Sequence, residues 1–298
     1  MPRRRNRNEV VVSARQQTLE KAVEIEGVGL FFGAPVSLRC LPAEPNAGIR
    51  FVRVDLSGRP SVPALADCVP APKRYTTLKN GEAEVFMVEH LLASAAGLGI
   101  DNMIVEADAP EMPIGDGSAL TYAQAFLKAG IRPQDAEKRW MAPDSPVSVT
   151  ESDVAIMAAP LPEGLLATYV LDFGQQFVKS QAATFALDRE TFLREIAPAR
   201  TFVLRPEVDA FIQKGLGKGA TTENTIVLEL NGDISVDLRF PDECVRHKLL
   251  DMLGDLYLVG APLRGRVLGF KSGHATNIRL VRAIRDVCQT RHAASPVE

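Results

Sequence analysis

Much that would settle the class of this protein is missing from its sequence. No stretch approaches the ~20 uninterrupted apolar residues that a transmembrane helix needs. The four cysteines, Cys40, Cys68, Cys244 and Cys288, are scattered without a CxxC pair. That spacing supports neither a disulfide scaffold nor a cysteine-rich zinc module. Neither sign of charge dominates: 34 Lys and Arg against 37 Asp and Glu leave a formal net charge of −3. A nucleic-acid binder with a wholly basic surface is therefore excluded. The first ten residues, MPRRRNRNEV, are basic but lack the apolar core of a secretory signal, so a cytoplasmic protein is expected. Histidine too is sparse, with four in 298. Three of them, His90, His247 and His274, sit inside dense polar–apolar motifs. The fourth, His292, falls in a C-terminal RHAASPVE that reads as a frayed tail.

What is present has a two-part plan. A length of 298 residues suits two domains of ~100–150 residues each. Pro133, Pro143 and Pro146 with several charges mark a linker or domain edge near 132–146. The expected division is a basic tail over 1–14, a first domain over 15–138, a second over 139–291 and a tail over 292–298. Before the linker, Val88-Glu89-His90-Leu91-Leu92 opens an apolar helix ending at Gly97-Leu98-Gly99. A strand from Asn102 to Glu106 follows, and then a helix begun at Asp116-Gly117-Ser118 and stopped by Gly130. Beyond the linker, Val245-Arg246-His247-Lys248 opens a helix closed by Gly260 and Pro262. A strand over Arg266–Phe270 and a helix begun at Ser272-Gly273-His274 complete the same order. The repeat lies about 157 residues along the chain, and the spacing agrees: Gly117 is 27 residues after His90 and Gly273 is 26 after His247. Short β-type runs upstream of each helix, such as Val36–Cys40, Leu165–Phe173 and Thr225–Glu229, make the class α+β rather than a doubly wound parallel sheet.

His247 and Asp251 stand four apart on a predicted helix, so an imidazole and a carboxylate share one face. A catalytic zinc takes three protein ligands and leaves a position for water. His90 occupies the equivalent place in the other half and is the expected third ligand if the halves pack face to face. Two histidines and an aspartate suit Zn²⁺ better than Mg²⁺ or Ca²⁺, which favour oxygen shells. Glu89 would then flank the metal as general base. His274, held out by a Gly-punctuated turn, would meet developing charge, with Asp255 keeping it protonated. Lys248 and Lys271 are candidate phosphate contacts. Pro206 and Gly215 outline a short helix whose stripe of Val208, Phe211 and Ile212 can line a slot for an acyl chain.

Gly27-Val-Gly-Leu30, Val88-Glu-His-Leu-Leu92, Gly99-Ile-Asp-Asn102, Pro113 to Ala119, Ala199-Arg-Thr-Phe202, Arg246 to Asp251 with Gly254-Asp255, and Lys271-Ser-Gly-His-Ala275 stand in family order. From about Gln17 to Arg291 the chain resembles the UDP-3-O-acyl-N-acetylglucosamine deacetylases, the zinc amidases of the committed step in lipid A biosynthesis. The resemblance implies two pseudo-duplicated β-α-α-β sandwich domains, each with a small insert, and an active site at their junction. It implies zinc on His90, His247 and Asp251, Glu89 as general base, His274 oriented by Asp255, Thr201 at the oxyanion and Lys248 near the diphosphate. Phe202, Phe211, Ile212, Leu216 and Lys271 become expected substrate contacts, and the partner a UDP-linked acylated amino sugar. A monomer with at most transient contact with the inner membrane face is expected. Two departures stand out: Phe31 where the family reads His, and Gly174-Gln175-Gln176 where it carries His-Pro. A non-catalytic acyl-sugar-nucleotide-binding paralogue and a zinc amidase for a related N-acetylated substrate are the alternative readings.

Overall fold

The computed structural model describes residues 15–70, 74–174, 177–234 and 236–294. The tail expected over 1–14 lies outside these residues, as do Gln175 and Gln176. The first half opens with strands β1 (Arg15–Leu19), β2 (Val23–Val28), β3 (Pro35–Pro42), β4 (Ile49–Arg53) and β5 (Ser61–Pro63). It continues through β6 (Thr77–Asn80), β7 (Ala83–Phe86), helix α1 (Glu89–Leu98), β8 (Met103–Ala107), α2 (Leu120–Ala129) and β9 (Ile131–Glu137). The second half begins with β10 (Val147–Glu151), β11 (Val154–Ala159), β12 (Leu165–Leu171) and β13 (Gln181–Ala186). Next come a single helical turn α3 (Arg189–Thr191), β14 (Thr201–Leu204), α4 (Arg205–Gln213) and β15 (Thr225–Leu228). Helix α5 (Glu243–Leu256), β16 (Gly265–Phe270) and α6 (His274–Ala294) complete it.

Two five-stranded sheets dominate, in the orders β2-β3-β8-β4-β5 and β10-β11-β16-β12-β13. They are the same sheet twice. Each consists of two hairpins with a late strand inserted between them, antiparallel to one neighbour and parallel to the other. The helix–strand–helix repeat of the sequence becomes α1-β8-α2 in one half and α5-β16-α6 in the other, and the class is α+β. Alternation explains the layering. Met103, Val105 and Ala107 of β8 are buried, as are Gly265, Val267 and Gly269 of β16, with less buried residues between them. The inserts are β6–β7 in the first half and β14–α4–β15 in the second, where β14 and β15 pair in parallel.

Part of the expected linker is a strand. β9 pairs with β1, placing Pro133 opposite Gln17, and this two-stranded ladder tolerates proline because its outer edge asks for no N–H. At the other end α6 runs through Ala294, into the segment read as a tail. Among the described residues no helix is long and apolar enough to cross a membrane.

The halves meet through α1 and α5. Helix α1 is buried almost all round and stops at Gly99, whose φ of +73° is the left-handed cap that glycine adopts without penalty. Gly254 of α5 is the point of closest approach, where an added Cβ would lie 2.1 Å from the Glu89 carbonyl oxygen. A buried ion pair holds the next segment against α5. The Glu243 carboxylate accepts from Arg200 N (2.9 Å) and Nε (2.9 Å) and from Arg239 N (2.6 Å). Gly254→Ala is expected to lower stability by about 1–3 kcal/mol through overpacking, measured as a shifted urea midpoint with an unchanged slope.

Candidate active site

Because α1 and α5 cross at Gly254, residues from both halves converge. His90 is the second residue of α1; His247 and Asp251 lie one turn apart on α5. Their ligand atoms all lie within 4.8 Å of one another, and all three residues are buried. Nε2 of His247 is 3.4 Å from Asp251 Oδ1, and Nε2 of His90 is 3.7 Å from the same oxygen. The imidazole rings stand nearly perpendicular, at 84°. Nδ1 of His247 donates to the Ala199 carbonyl at 3.0 Å, which leaves the Nε2 lone pair facing the cluster. Burial pulls the His247 pKa down to about 4, so the imidazole is neutral at neutral pH and able to ligate. Burial opposes ionisation of Asp251 too, yet Lys248 and His247 hold its carboxyl well below the usual carboxylate range. Lys248 Nζ donates to Asp251 Oδ2 at 2.7 Å. This donor set of two imidazoles and one carboxylate fits a divalent metal with room for further ligands.

Two more groups flank the cluster. Glu89, the first residue of α1, is buried, and its Oε2 accepts from Thr76 N at 3.2 Å. Burial pushes its carboxyl up to about 7, against the pull of His274 and His90. His274 opens α6, and its Nδ1 donates to Asp255 Oδ2 at 2.8 Å. Burial works against its charge, but the Asp255 carboxylate, by charge and hydrogen bond, and Glu89 more than offset it and hold the imidazole at about 9. Its Nε2 points the other way and lies 4.0 Å from Glu89 Oε1. A carboxyl raised and an imidazole raised in one cleft are a base and an acid at neutral pH. The residue three before His274, Lys271, and the residue two before Glu89, Met87, take left-handed φ of 55° and 62°. Such backbone strain persists where surrounding structure imposes it, and it clusters at functional sites.

A cavity of about 850 Å³ opens above the cluster, with Glu89, His90, His247, Asp251 and His274 on its wall. Thr201 also faces it from the start of β14, anchored by its N–H to the Gly117 carbonyl at 2.8 Å. Phe202, Phe211, Ile212 and Leu216 line its apolar part, and the Phe202 ring lies 6.1 Å from that of His247. Lys271 stands at the rim, bonded to Asp153. Phe31 packs between Tyr75 (4.8 Å) and Phe211 (5.7 Å), closing one side with an aromatic wall. Ile212 is 66% exposed, so the apolar part reaches solvent.

Sequence reasoning missed three contributors. Thr76 connects both halves: its hydroxyl donates to Asp255 Oδ1 while its N–H serves Glu89. Asn277 donates to Asp255 Oδ2 at 2.8 Å, completing the carboxylate's partners. The Arg200–Glu243 pair fixes the segment carrying Ala199 and Thr201. For Asn277 the signal was available, since it stands one helical turn from His274; Thr76 and Glu243 reach their partners only through the tertiary fold.

Comparison with known proteins agrees with this geometry. The model of a family described as LpxC, UDP-3-O-acyl N-acetylglycosamine deacetylase, matches residues 16–286. A UDP-3-O-acyl-N-acetylglucosamine deacetylase of Myxococcus xanthus is 42% identical over 273 residues, covering 91% of this chain and 87% of its own. A protein of the same name from Anaeromyxobacter sp. is 42% identical, covering 90% and 88%. One from Chlamydia abortus is 40% identical, covering 92% and 98%. With matches of this extent, the chain belongs to the UDP-3-O-acyl N-acetylglycosamine deacetylase family.

Proposed function

We propose that this chain is a zinc-dependent amidase acting in the cytoplasm. It hydrolyses the 2-acetamido group of UDP-3-O-acyl-N-acetylglucosamine to the free amine and acetate, the committed step of lipid A biosynthesis. The observation that carries the reading is the buried convergence of His90, His247 and Asp251 with Glu89 and His274 at the foot of one large, largely apolar cavity. A phosphate-binding module would give no reason for a carboxyl and an imidazole to flank a metal-ligand triad. The family and its named relatives deacetylate the same class of sugar, and the apolar cavity suits its acyl chain.

His90, His247 and Asp251 are the residues that would hold zinc. When bound, zinc acidifies water and polarises the amide carbonyl. The protein's own groups do the rest. Glu89 takes a proton from the attacking water at its carboxylate, which a pKa of about 7 suits for that task, and the departing amine receives a proton from Glu89 or His274 as the C–N bond breaks. His274 carries a proton on Nε2 as well as on Nδ1 because the Asp255 carboxylate holds its imidazole cationic, at about 9 despite burial. That proton faces the oxyanion that develops at the attacked carbonyl, and the Thr201 hydroxyl supplies a second donor. Lys248 compensates the charge of Asp251 and, lining the same cavity, is the candidate contact for a diphosphate. The apolar wall of Phe202, Phe211, Ile212 and Leu216 takes the acyl chain, and Lys271 offers a cation at the rim. The enzyme works as a monomer and meets the inner membrane face only in passing.

Purified protein should hold one zinc per chain by metal analysis. Chelation should abolish acetate release, added zinc should restore it, and His247→Ala should carry no metal. Glu89→Gln is expected to keep its zinc yet lose about 10²–10⁴-fold in turnover, measured as acetate released from the acylated UDP sugar. Undiminished turnover would remove Glu89 from the base role. His274→Ala should lower kcat by about 10²–10³-fold with little change in KM, because its contact strengthens only as charge develops.

A further inference from the structure

A second cavity, of about 450 Å³, opens at the opposite end of the α1–α5 pair. Its floor is the last turn of α1, and its apolar walls come from Leu165, Leu187, Leu253, Leu256 and Leu263. Trp140, the only tryptophan of the chain, stands on the same wall. Two cations lie at the carbonyl end of α1, where positive charge is favoured. Lys138 is committed: its Nζ is 3.0 Å from Asp101 Oδ2 and 3.2 Å from the Gly99 carbonyl, and 5.8 Å from the Trp140 ring centre. Arg189 is not. It donates to the Leu98 carbonyl at 3.1 Å, and among the described residues no carboxylate pairs with it. The adjacent Asp188 accepts from Thr191 N at 2.7 Å as a helix cap. The result is an apolar cleft of ligand size with, at its mouth, one guanidinium that no carboxylate of the described residues neutralises.

We propose that this cavity binds an amphipathic monoanion, an aliphatic chain ending in a single carboxylate. The chain lies against the five leucines and Trp140, and the carboxylate rests on Arg189. One guanidinium without a carboxylate partner matches one carboxylate in charge, and its donors beyond the one on the Leu98 carbonyl can serve it; Asp188 beside it disfavours a more highly charged head group. The position has a mechanical meaning. Leu253 and Leu256 belong to the helix that carries His247 and Asp251, and the floor belongs to the helix that carries Glu89 and His90. An occupant therefore presses on both halves of the metal-ligand set from behind.

The intact protein supplies its own reporter. Titration with dodecanoate below its micellar concentration should change Trp140 emission saturably with one site per chain. Dodecan-1-ol should bind about tenfold more weakly, the worth of a charge-assisted contact. Arg189→Gln should reduce dodecanoate to the affinity of the alcohol, Arg189→Lys should restore part of the difference, and Leu187→Phe should weaken both ligands by filling the cleft. Unchanged emission, equal affinities for acid and alcohol, or indifference to Arg189→Gln would each overturn the proposal. Dodecanoate taken up without a change in Trp140 emission would assign it to the first cavity and overturn it likewise. None of these readings depends on acetate release, so they stand apart from the fate of the deacetylase assignment.

Discussion

Helix α1 and helix α5 touch backbone to backbone at Gly254, and the chemistry of the protein is built on that contact. A side chain there would meet the Glu89 carbonyl, so only glycine lets the two helices come close enough for His90 to share a cluster with His247 and Asp251. Each helix starts from its own half, after its own hairpins and before its own central strand. Neither half owns the site. The fold brings it into being by pressing two copies of one plan together along their equivalent helices, and the ion pair of Arg200 with Glu243 extends the same seam by holding the segment of Ala199 and Thr201 on α5.

Electrostatics in the cleft follows from how the partners are shared. Asp251 faces two imidazoles and receives Lys248, and its carboxyl is held low. Asp255 receives Thr76, Asn277 and His274, and through it His274 stays cationic despite burial. Among the described residues Glu89 has one backbone N–H and, as its nearest cation, His274 at 4.0 Å, so burial wins and its carboxyl rises to about 7. Asp251 and Glu89 thus shift in opposite directions, because desolvation acts on both and compensation reaches chiefly Asp251.

The parts of this arrangement that are local in sequence were legible. Glu89-His90 at a helix start, His247 and Asp251 one turn apart, and His274 after a Gly-punctuated turn can each be placed on an element from spacing alone. So can the repeat, since Gly117 follows His90 by 27 residues and Gly273 follows His247 by 26. What stayed hidden depends on tertiary contact. Thr76 sits 179 residues from Asp255, and no periodicity links them. Strand β9 was masked by its prolines, which signal a break unless a partner such as β1 is known. The aromatic wall of Phe31, Tyr75 and Phe211 joins three separate segments.

With a metal held as proposed, by His90 of one half and by His247 and Asp251 of the other, metal affinity is coupled to assembly. A metal bound by His90 on one side and by His247 and Asp251 on the other is a crosslink, and its affinity contains the free energy of holding α1 against α5. By linkage, the ion stabilises the docked arrangement by RT ln(1 + [M]/Kd). Metal retention is then a thermodynamic gauge of domain docking. Substitutions along the seam, far from any ligand atom, register first as a protein that gives up its ion more readily, before they register as one that unfolds.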